Sequence, residues 1–325
     1  MGYGAYSHEA HEALTASRTA QPVQAVFAQR ACHPLMNPRG IRARESRDSV
    51  DHPSSLAIAF ALDVTSSMGD IPEALARREL PTLMKLLGDL GVRDPQLLFM
   101  AVGDAVGDRA PLQVGQFEST AELMDQWLTW SWLEGGGGAA PCESYELALY
   151  FAARHVEMDC WRKRNKRGYL FLTGDDRPYP LLSRHIVLEV FGDTLDADIP
   201  LPRLVATLAQ SFEPFFLIPD LERRARAERP WRDLIGDRVV CLENRDDVCV
   251  VAASLVALNE GLATLPELAA RFSRDDRARV GRLVRAITPF ASSIGKDGAP
   301  EPSLERFALA PREETESGLV RLFRP

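Results

Sequence analysis

The chain has 325 residues, 46% of them hydrophobic and 26% charged, so it is long enough to bury a full hydrophobic core. Its formal net charge is −8, which argues against a surface built to bind nucleic acid. We find no run of about 18 apolar residues and no N-terminal charged segment followed by an apolar one, so we expect neither a membrane-spanning helix nor a signal peptide. Five cysteines without a CxxC pair indicate reduced thiols. We therefore expect a cytoplasmic protein.

The first part of the chain, residues 1–52, is polar and only weakly periodic. Residues 8–30 can hold a helix, whereas residues 32–51 contain Pro34 and Pro38 and are typical of an extended segment. We interpret residues 1–52 as an N-terminal arm that offers a contact surface outside the main domain.

From residue 55 onwards, short apolar runs alternate with helical segments. The run LAIAFALD at 56–63 has the length of a buried strand, and Asp70 then caps a predicted helix that reaches about residue 91 with a kink at Pro81. Four more apolar runs predict core strands, and LQVGQFE at 112–118 alternates as an edge strand does. The core strands are LLFMAVGD (97–104), GYLFLTGDD (168–176) and PFFLIPD (214–220), with RVVCLE (238–243) as the last. Helices are predicted between them at 119–132 and 144–159, and a further helix is predicted after the last strand at 248–260.

Apolar strands that alternate with helices predict an α/β fold, doubly wound, with an open and mostly parallel sheet covered on both faces. After residue 262 the pattern weakens. Residues 264–290 read as an arginine-rich helical segment, and residues 291–325 contain few large core residues, which is typical of a mobile tail. We interpret residues 263–325 as a helical segment and tail with a second contact surface.

Oxygen-bearing side chains follow the first strand at every second position, in the sequence FALDVTSSMG (60–69). Alternate side chains of an extended loop face the same way, so Asp63, Thr65 and Ser67 can converge. A parallel sheet places Asp175, at the end of the 168–176 strand, at the same edge. Oxygen ligands with few charges suit Mg²⁺, or Mn²⁺ as a softer option, rather than zinc.

The short D-x-T-x-S pattern is common by chance, and its context is what favours a metal site. It follows a buried strand, precedes a helix capped by an aspartate, and has a matching later acid. Asp175 can also be read as a loop cap, Asp176 is better read that way, and Asp104 is interpreted as structural. The glycine run at 135–138 lacks the Lys-Ser/Thr ending of a phosphate-binding loop.

These residues resemble the von Willebrand factor A (vWA) domain, whose metal-ion-dependent adhesion site (MIDAS) is built on a D-x-S-x-S loop after the first strand. The sequence DVTSS at 63–67 matches this loop, with Thr65 in place of the first serine, and Met68-Gly69 fits the usual continuation. Asp175 matches the acid that follows the fourth strand of the family. The resemblance covers roughly residues 55–260 and implies a vWA-like, Rossmann-like domain at 53–262 whose edge strand at 112–118 is antiparallel.

The threonine that the family places on a second loop is absent. GGGGAAPCESYELALYFA (135–152) occupies that place, and Glu143 or Ser144 falls where the threonine belongs. We take Glu143 as the fifth predicted ligand and Ser144 as its alternative. A carboxylate there would make the site more anionic and hold the metal more tightly.

A site of this family binds rather than reacts, because the cation keeps an open position for an Asp or Glu of a partner protein. We see no nucleophile beside a plausible base, and the six histidines fall outside the predicted strand-end loops, so we expect no catalysis. Intracellular bacterial members often partner MoxR-type AAA+ ATPases, so the resemblance implies a metal-dependent adaptor between such an ATPase and a client. The alternatives are a Mg²⁺-dependent phosphoesterase that uses the same acids, and a degenerate fold without metal.

Overall fold

The computed structural model describes residues 4, 6–19, 21–136, 142–273 and 276–294. Most of the predicted mobile tail, from residue 295 onwards, lies outside the described residues. So do Gly137 and Gly138 of the glycine run.

A six-stranded sheet forms the centre of the molecule. In chain order its strands are β1 (Leu56–Asp63), β2 (Pro95–Val102), β3 (Leu112–Val114), β4 (Gly168–Thr173), β5 (Phe212–Ile218) and β6 (Val239–Cys241). Their spatial order is β3-β2-β1-β4-β5-β6. Every neighbouring pair is parallel except β2 with β3, which is antiparallel. This is the strand order of a doubly wound open sheet, and it confirms the predicted α/β fold class with one antiparallel edge strand.

The central strands are apolar because both faces of the sheet are covered. Every residue of β1, β4 and β5 is buried. Phe60, Phe171 and Phe215 lie opposite one another in the register of these three strands. Their rings stack with centroids 5.0 and 5.2 Å apart, so the aromatic row fixes the register across the middle of the sheet.

Helices cover the sheet and flank it. They are α1 (His8–Thr19), α2 (Val23–Val26), α3 (Ile71–Ala74), α4 (Leu80–Asp89), α5 (Ala121–Trp130), α6 (Tyr145–Arg154), α7 (Asp159–Arg164), α8 (Arg184–Val190), α9 (Leu201–Leu208), α10 (Arg224–Ile235), α11 (Val248–Asn259), α12 (Leu265–Phe272) and α13 (Arg277–Ser293). Among the described residues, none of these helices combines the length and apolar character needed to cross a membrane.

Two predicted helices differ from the observed ones. A π-helical turn, Leu75–Glu79, separates α3 from α4. Pro81 follows this turn and has no N–H to donate, so regular helical bonding is interrupted there. The helix predicted at 144–159 ends at Arg154, and the short strand Val156–Met158 follows it.

The N-terminal segment packs against the domain. The short strand Arg44–Ser46 pairs in parallel with Val156–Met158. Phe27 and Met36 are buried, and Arg18 of α1 forms an ion pair with Asp125 of α5. Two further short pairs, Cys142–Glu143 with Arg177–Pro178 and Leu181–Leu182 with Ile199–Pro200, lie outside the central sheet.

Candidate metal-binding site

The candidate site lies at the carboxyl edge of the sheet. Strands β1, β2, β4 and β5 all run in the same direction, so the loops that follow them meet at one edge, where open α/β sheets bind ligands. Asp63 is the last residue of β1, and Asp175 follows β4 by two residues. The fold therefore places both acids at the same edge, as their positions in the sequence predict.

A continuous chain of hydrogen bonds and one hydroxyl–hydroxyl contact joins four of the predicted site residues. Asp63 Oδ1 accepts from the backbone N–H of Thr65 at 2.9 Å and from its hydroxyl at 2.6 Å. The Thr65 hydroxyl oxygen lies 3.1 Å from that of Ser67, which donates to Asp175 Oδ1 at 2.8 Å. A 3₁₀ turn over Ser66–Met68 shapes this loop, which ends at Gly69 with a φ of 59°.

The donor chemistry of this chain fits a hard divalent cation. The hydroxyl hydrogens of Thr65 and Ser67 point at Asp63 and Asp175, so both hydroxyl oxygens keep lone pairs for a metal. Neighbouring ligands of an octahedral Mg²⁺ with bonds of about 2.1 Å lie about 3.0 Å apart. The observed separation of 3.1 Å matches this requirement. Across the described part of the chain, no group of three or more His, Cys, Asp or Glu side chains could hold a metal, so a cation here depends on the two hydroxyls.

Tyr145 completes the surroundings of Asp63, and sequence reasoning missed it. Its phenol donates a hydrogen bond to Asp63 Oδ2. Gly174 makes room for this contact, because a Cβ atom there would lie 2.1 Å from the phenol oxygen. Burial raises the pKa of Asp63 to about 7, although the hydrogen bonds from Thr65 and Tyr145 oppose the shift. Nothing in the local sequence indicates that Tyr145, rather than a neighbour, reaches Asp63.

Glu143 and Ser144, on the loop before α6, do not join the contacts that link Asp63, Thr65, Ser67 and Asp175. Ser144 Oγ accepts from the N–H of Ala105 at 2.9 Å and donates to Asp104 at 3.3 Å, so its side chain belongs to the loop after β2. Glu143 is buried, and its Oε2 atom has no hydrogen-bond partner within the described ranges. Burial raises the pKa of Glu143 to about 9, and the charge of Asp63 adds to the shift. The hydrogen-bonded chain contains neither residue.

Asp104 stabilises the loop after β2 through hydrogen bonds. One of its oxygens accepts from Tyr179 at 3.0 Å and from the N–H of Val106 at 3.2 Å, in addition to Ser144. Its other oxygen is buried without a partner among the residues that the structure describes.

Two arginines contact Asp175, and the sequence contains no signal for either contact. Arg223 Nε and Arg226 Nη2 lie 3.3 and 3.2 Å from Asp175 Oδ2. Arg223 also donates to the carbonyl oxygen of Ser67 at 3.0 Å, which ties the loop after β5 to the loop after β1. Arg226 reaches Asp176 Oδ2 at 3.3 Å.

Comparison with known proteins yields only distant structural similarity. No protein-family model and no curated protein matches the chain. Proximal thread matrix protein 1 from the mussel byssus is 11% identical over 66% of this chain and 49% of its own, with a TM-score of 0.41. Another structure of that protein, described with a zinc-occupied MIDAS motif, is 12% identical over 66% and 48%, with a TM-score of 0.41. The pilus adhesin SpaC from Lactobacillus rhamnosus GG is 9% identical over 66% and 31%, with a TM-score of 0.43. This chain thus spans about half of the mussel protein and about a third of the adhesin.

Proposed function

We propose that the chain is a metal-dependent protein-interaction module. Mg²⁺, or Mn²⁺ in its place, is held by the hydroxyls of Thr65 and Ser67 together with Asp63 and Asp175. The observation that carries this proposal is the hydroxyl pair, 3.1 Å apart, with both hydrogens directed at carboxylates and lone pairs left for a cation. Glu143 is the fifth proposed ligand, because it is buried and the charge of Asp63 adds to the rise in its pKa. It lies outside the hydrogen-bonded chain, so its carboxylate has to turn towards the cation when metal binds.

The bound cation serves recognition in this proposal. An Asp or Glu side chain of a partner protein completes the metal's coordination, and the partly dried interface strengthens that contact. The partner that we propose is a MoxR-type AAA+ ATPase or its client, in the cytoplasm of a bacterial cell. The support for this choice is the resemblance of DVTSS at 63–67 to the family loop.

A pull-down of the full chain tests the proposal. The bait is the wild type in Mg²⁺ or in EDTA, the variant Asp63→Ala, and the control Asp70→Ala, which removes an exposed carboxylate from the start of the next helix. We expect partners retained in Mg²⁺ by the wild type and the control, and lost in EDTA and with Asp63→Ala. The same proteins in all four samples would contradict the proposal.

The competing function is a Mg²⁺-dependent phosphoesterase. It requires hydrolysis of a generic substrate such as p-nitrophenyl phosphate in Mg²⁺, abolished by Asp63→Ala. The adaptor proposal predicts that this substrate is not hydrolysed. In DxD-type phosphatases a second acid stands where this chain has Thr65, whose hydroxyl is engaged with Asp63. Metal-dependent turnover by the wild type that Asp63→Ala abolishes would replace the adaptor proposal.

A further inference from the structure

The feature that the proposed function leaves unexplained is the pair of guanidinium groups on Asp175. Asp175 has no exposed surface, and both arginines contact the same oxygen, Oδ2, while Oδ1 accepts from Ser67. Both oxygens of this carboxylate are therefore already engaged, Oδ1 by a hydroxyl and Oδ2 by two positive charges. A divalent metal at Ser67 must share Asp175 with two positive charges or displace them.

Each arginine has a second carboxylate of its own. Arg223 forms an ion pair with Asp220, and Arg226 lies 3.3 Å from Asp176 Oδ2. If Asp175 turns towards a metal, neither guanidinium is left unpaired. Exchange of an arginine for a metal at Asp175 thus avoids the large penalty of stranding a buried charge.

The two arginines differ in how firmly they are held. Arg223 is 23% exposed and also donates to the carbonyl oxygen of Ser67. Arg226 is 54% exposed and contacts carboxylates only. Arg226 is consequently the one whose removal changes the charge at Asp175 without a direct effect on the loop that carries the hydroxyl pair.

We propose that Arg223 and Arg226 are internal cations that compete with the divalent metal for Asp175 and so set the metal affinity of the site. In the metal-free protein they neutralise the buried carboxylate and keep the site assembled. When metal binds, Asp175 passes to the metal while the arginines stay with Asp220 and Asp176. This inference rests on the proposed metal site and concerns its regulation.

Calorimetric titration of Mn²⁺ into the full-length protein tests the competition. The variants are Arg226→Met and Arg223→Met, and the matched control is Arg224→Met, on the same helix but paired with Glu228. We expect the two site variants to bind Mn²⁺ about threefold to tenfold more tightly than the wild type, because a repelling charge beside the site is gone. The control should bind as the wild type does. In EDTA, both site variants should melt at a lower temperature than the wild type. Addition of Mn²⁺ should then raise the melting temperature of these variants by more than it raises that of the wild type.

The outcomes separate this inference from the proposed function. If the wild type binds Mn²⁺ and Arg226→Met binds it equally or more weakly, the competition is refuted and the metal site stands. If neither the wild type nor any variant binds Mn²⁺, the proposed function itself fails. Should Arg223→Met not fold, Arg226→Met still decides the question, because its side chain is half exposed and does not touch the Ser67 loop.

Discussion

Tyr145 is the residue that ties the start of α6 to Asp63. Both side chains are fully buried, and the phenol donates to Asp63 Oδ2. Burial holds the pKa of Tyr145 well above its ordinary value, and the charge of Asp63 adds to this shift, so the phenol stays a donor throughout the physiological range. Tyr145 therefore orients the carboxylate on which the predicted metal loop depends.

Replacement of Tyr145 by phenylalanine tests this role. Tyr145→Phe leaves Asp63 Oδ2 buried without its donor, so we expect a loss of about 1–3 kcal/mol in the free energy of unfolding. Urea denaturation in EDTA measures it. Tyr179→Phe is the control, because Asp104 keeps donors from Val106 and Ser144 when the phenol is removed. A loss for Tyr145→Phe no larger than that for Tyr179→Phe would contradict the assignment.

Residues close in sequence could be predicted to meet, and residues brought together by separate loops could not. Asp63, Thr65 and Ser67 share one loop, and Asp175 follows a neighbouring parallel strand, so spacing and topology together indicate their proximity. Tyr145, Arg223 and Arg226 reach the site from loops whose paths depend on packing. Metal binding by the four predicted residues and by Glu143 stays a prediction.

The start of α6 carries two buried carboxyl groups, Glu143 just before the helix and Glu146 in its first turn. Glu143 and Glu146 are both buried, and each has an oxygen without a partner within the described ranges. Burial raises the pKa of Glu146 to about 8, and the charge of Asp104 adds to the shift. The folded state therefore retains protons that the unfolded chain releases near pH 4.5.

The sign of the resulting pH dependence can be tested with Glu146→Gln. Because the folded-state pKa is raised, Glu146 lowers the free energy of unfolding as the pH rises towards 8. Between pH 7 and pH 8 in EDTA, we expect the free energy of unfolding of the wild type to fall by about 1 kcal/mol more than that of Glu146→Gln. Asp63 and Glu143 act in the same direction in both proteins, so the difference isolates Glu146. The unfolding free energies are measured by urea denaturation at the two pH values. An equal change from pH 7 to pH 8 in the wild type and in Glu146→Gln would refute the raised pKa.

Helix α13 is held to the domain by charge as well as by apolar packing. Its Phe290 ring meets Phe215 of β5 at 5.0 Å, and its Arg279 and Arg282 pair with the buried Asp247 at the start of α11. The sequence suggested an arginine-rich contact surface here. In the structure these two arginines face the domain, because both form ion pairs with Asp247, which is distant in the sequence.

Asp247→Ala tests how much this contact contributes. We expect a loss of about 2–3 kcal/mol in the free energy of unfolding, less than for a fully buried pair because the arginines keep access to water. Asp246→Ala is the matched control, since only the backbone carbonyl of Asp246 bonds to Arg279. Equal unfolding free energies for the two variants would show that the ion pairs do not hold α13.

At the scale of the whole molecule, the sheet was predictable and the flanking segments were less so. Fully buried strands such as β1 and β4 are continuous apolar runs, and their alternation with helices indicates a doubly wound sheet. The pairing of Arg44–Ser46 with Val156–Met158 joins segments more than 100 residues apart, and no local pattern encodes it. The N-terminal segment therefore reads as an arm in sequence but packs onto the domain.

The central claim is that the Thr65–Ser67 hydroxyl pair binds a divalent cation. Its most direct test is calorimetric titration of Mg²⁺ and Mn²⁺ into the wild type, Ser67→Ala and Ser66→Ala. Ser66 is the matched control, because it lies in the same turn but is exposed, whereas Ser67 contacts Thr65 and Asp175. We predict one ion per chain for the wild type and for Ser66→Ala, and an affinity lowered about tenfold or more for Ser67→Ala. Absence of binding to the wild type by either cation, or equal binding by Ser67→Ala, would contradict the claim.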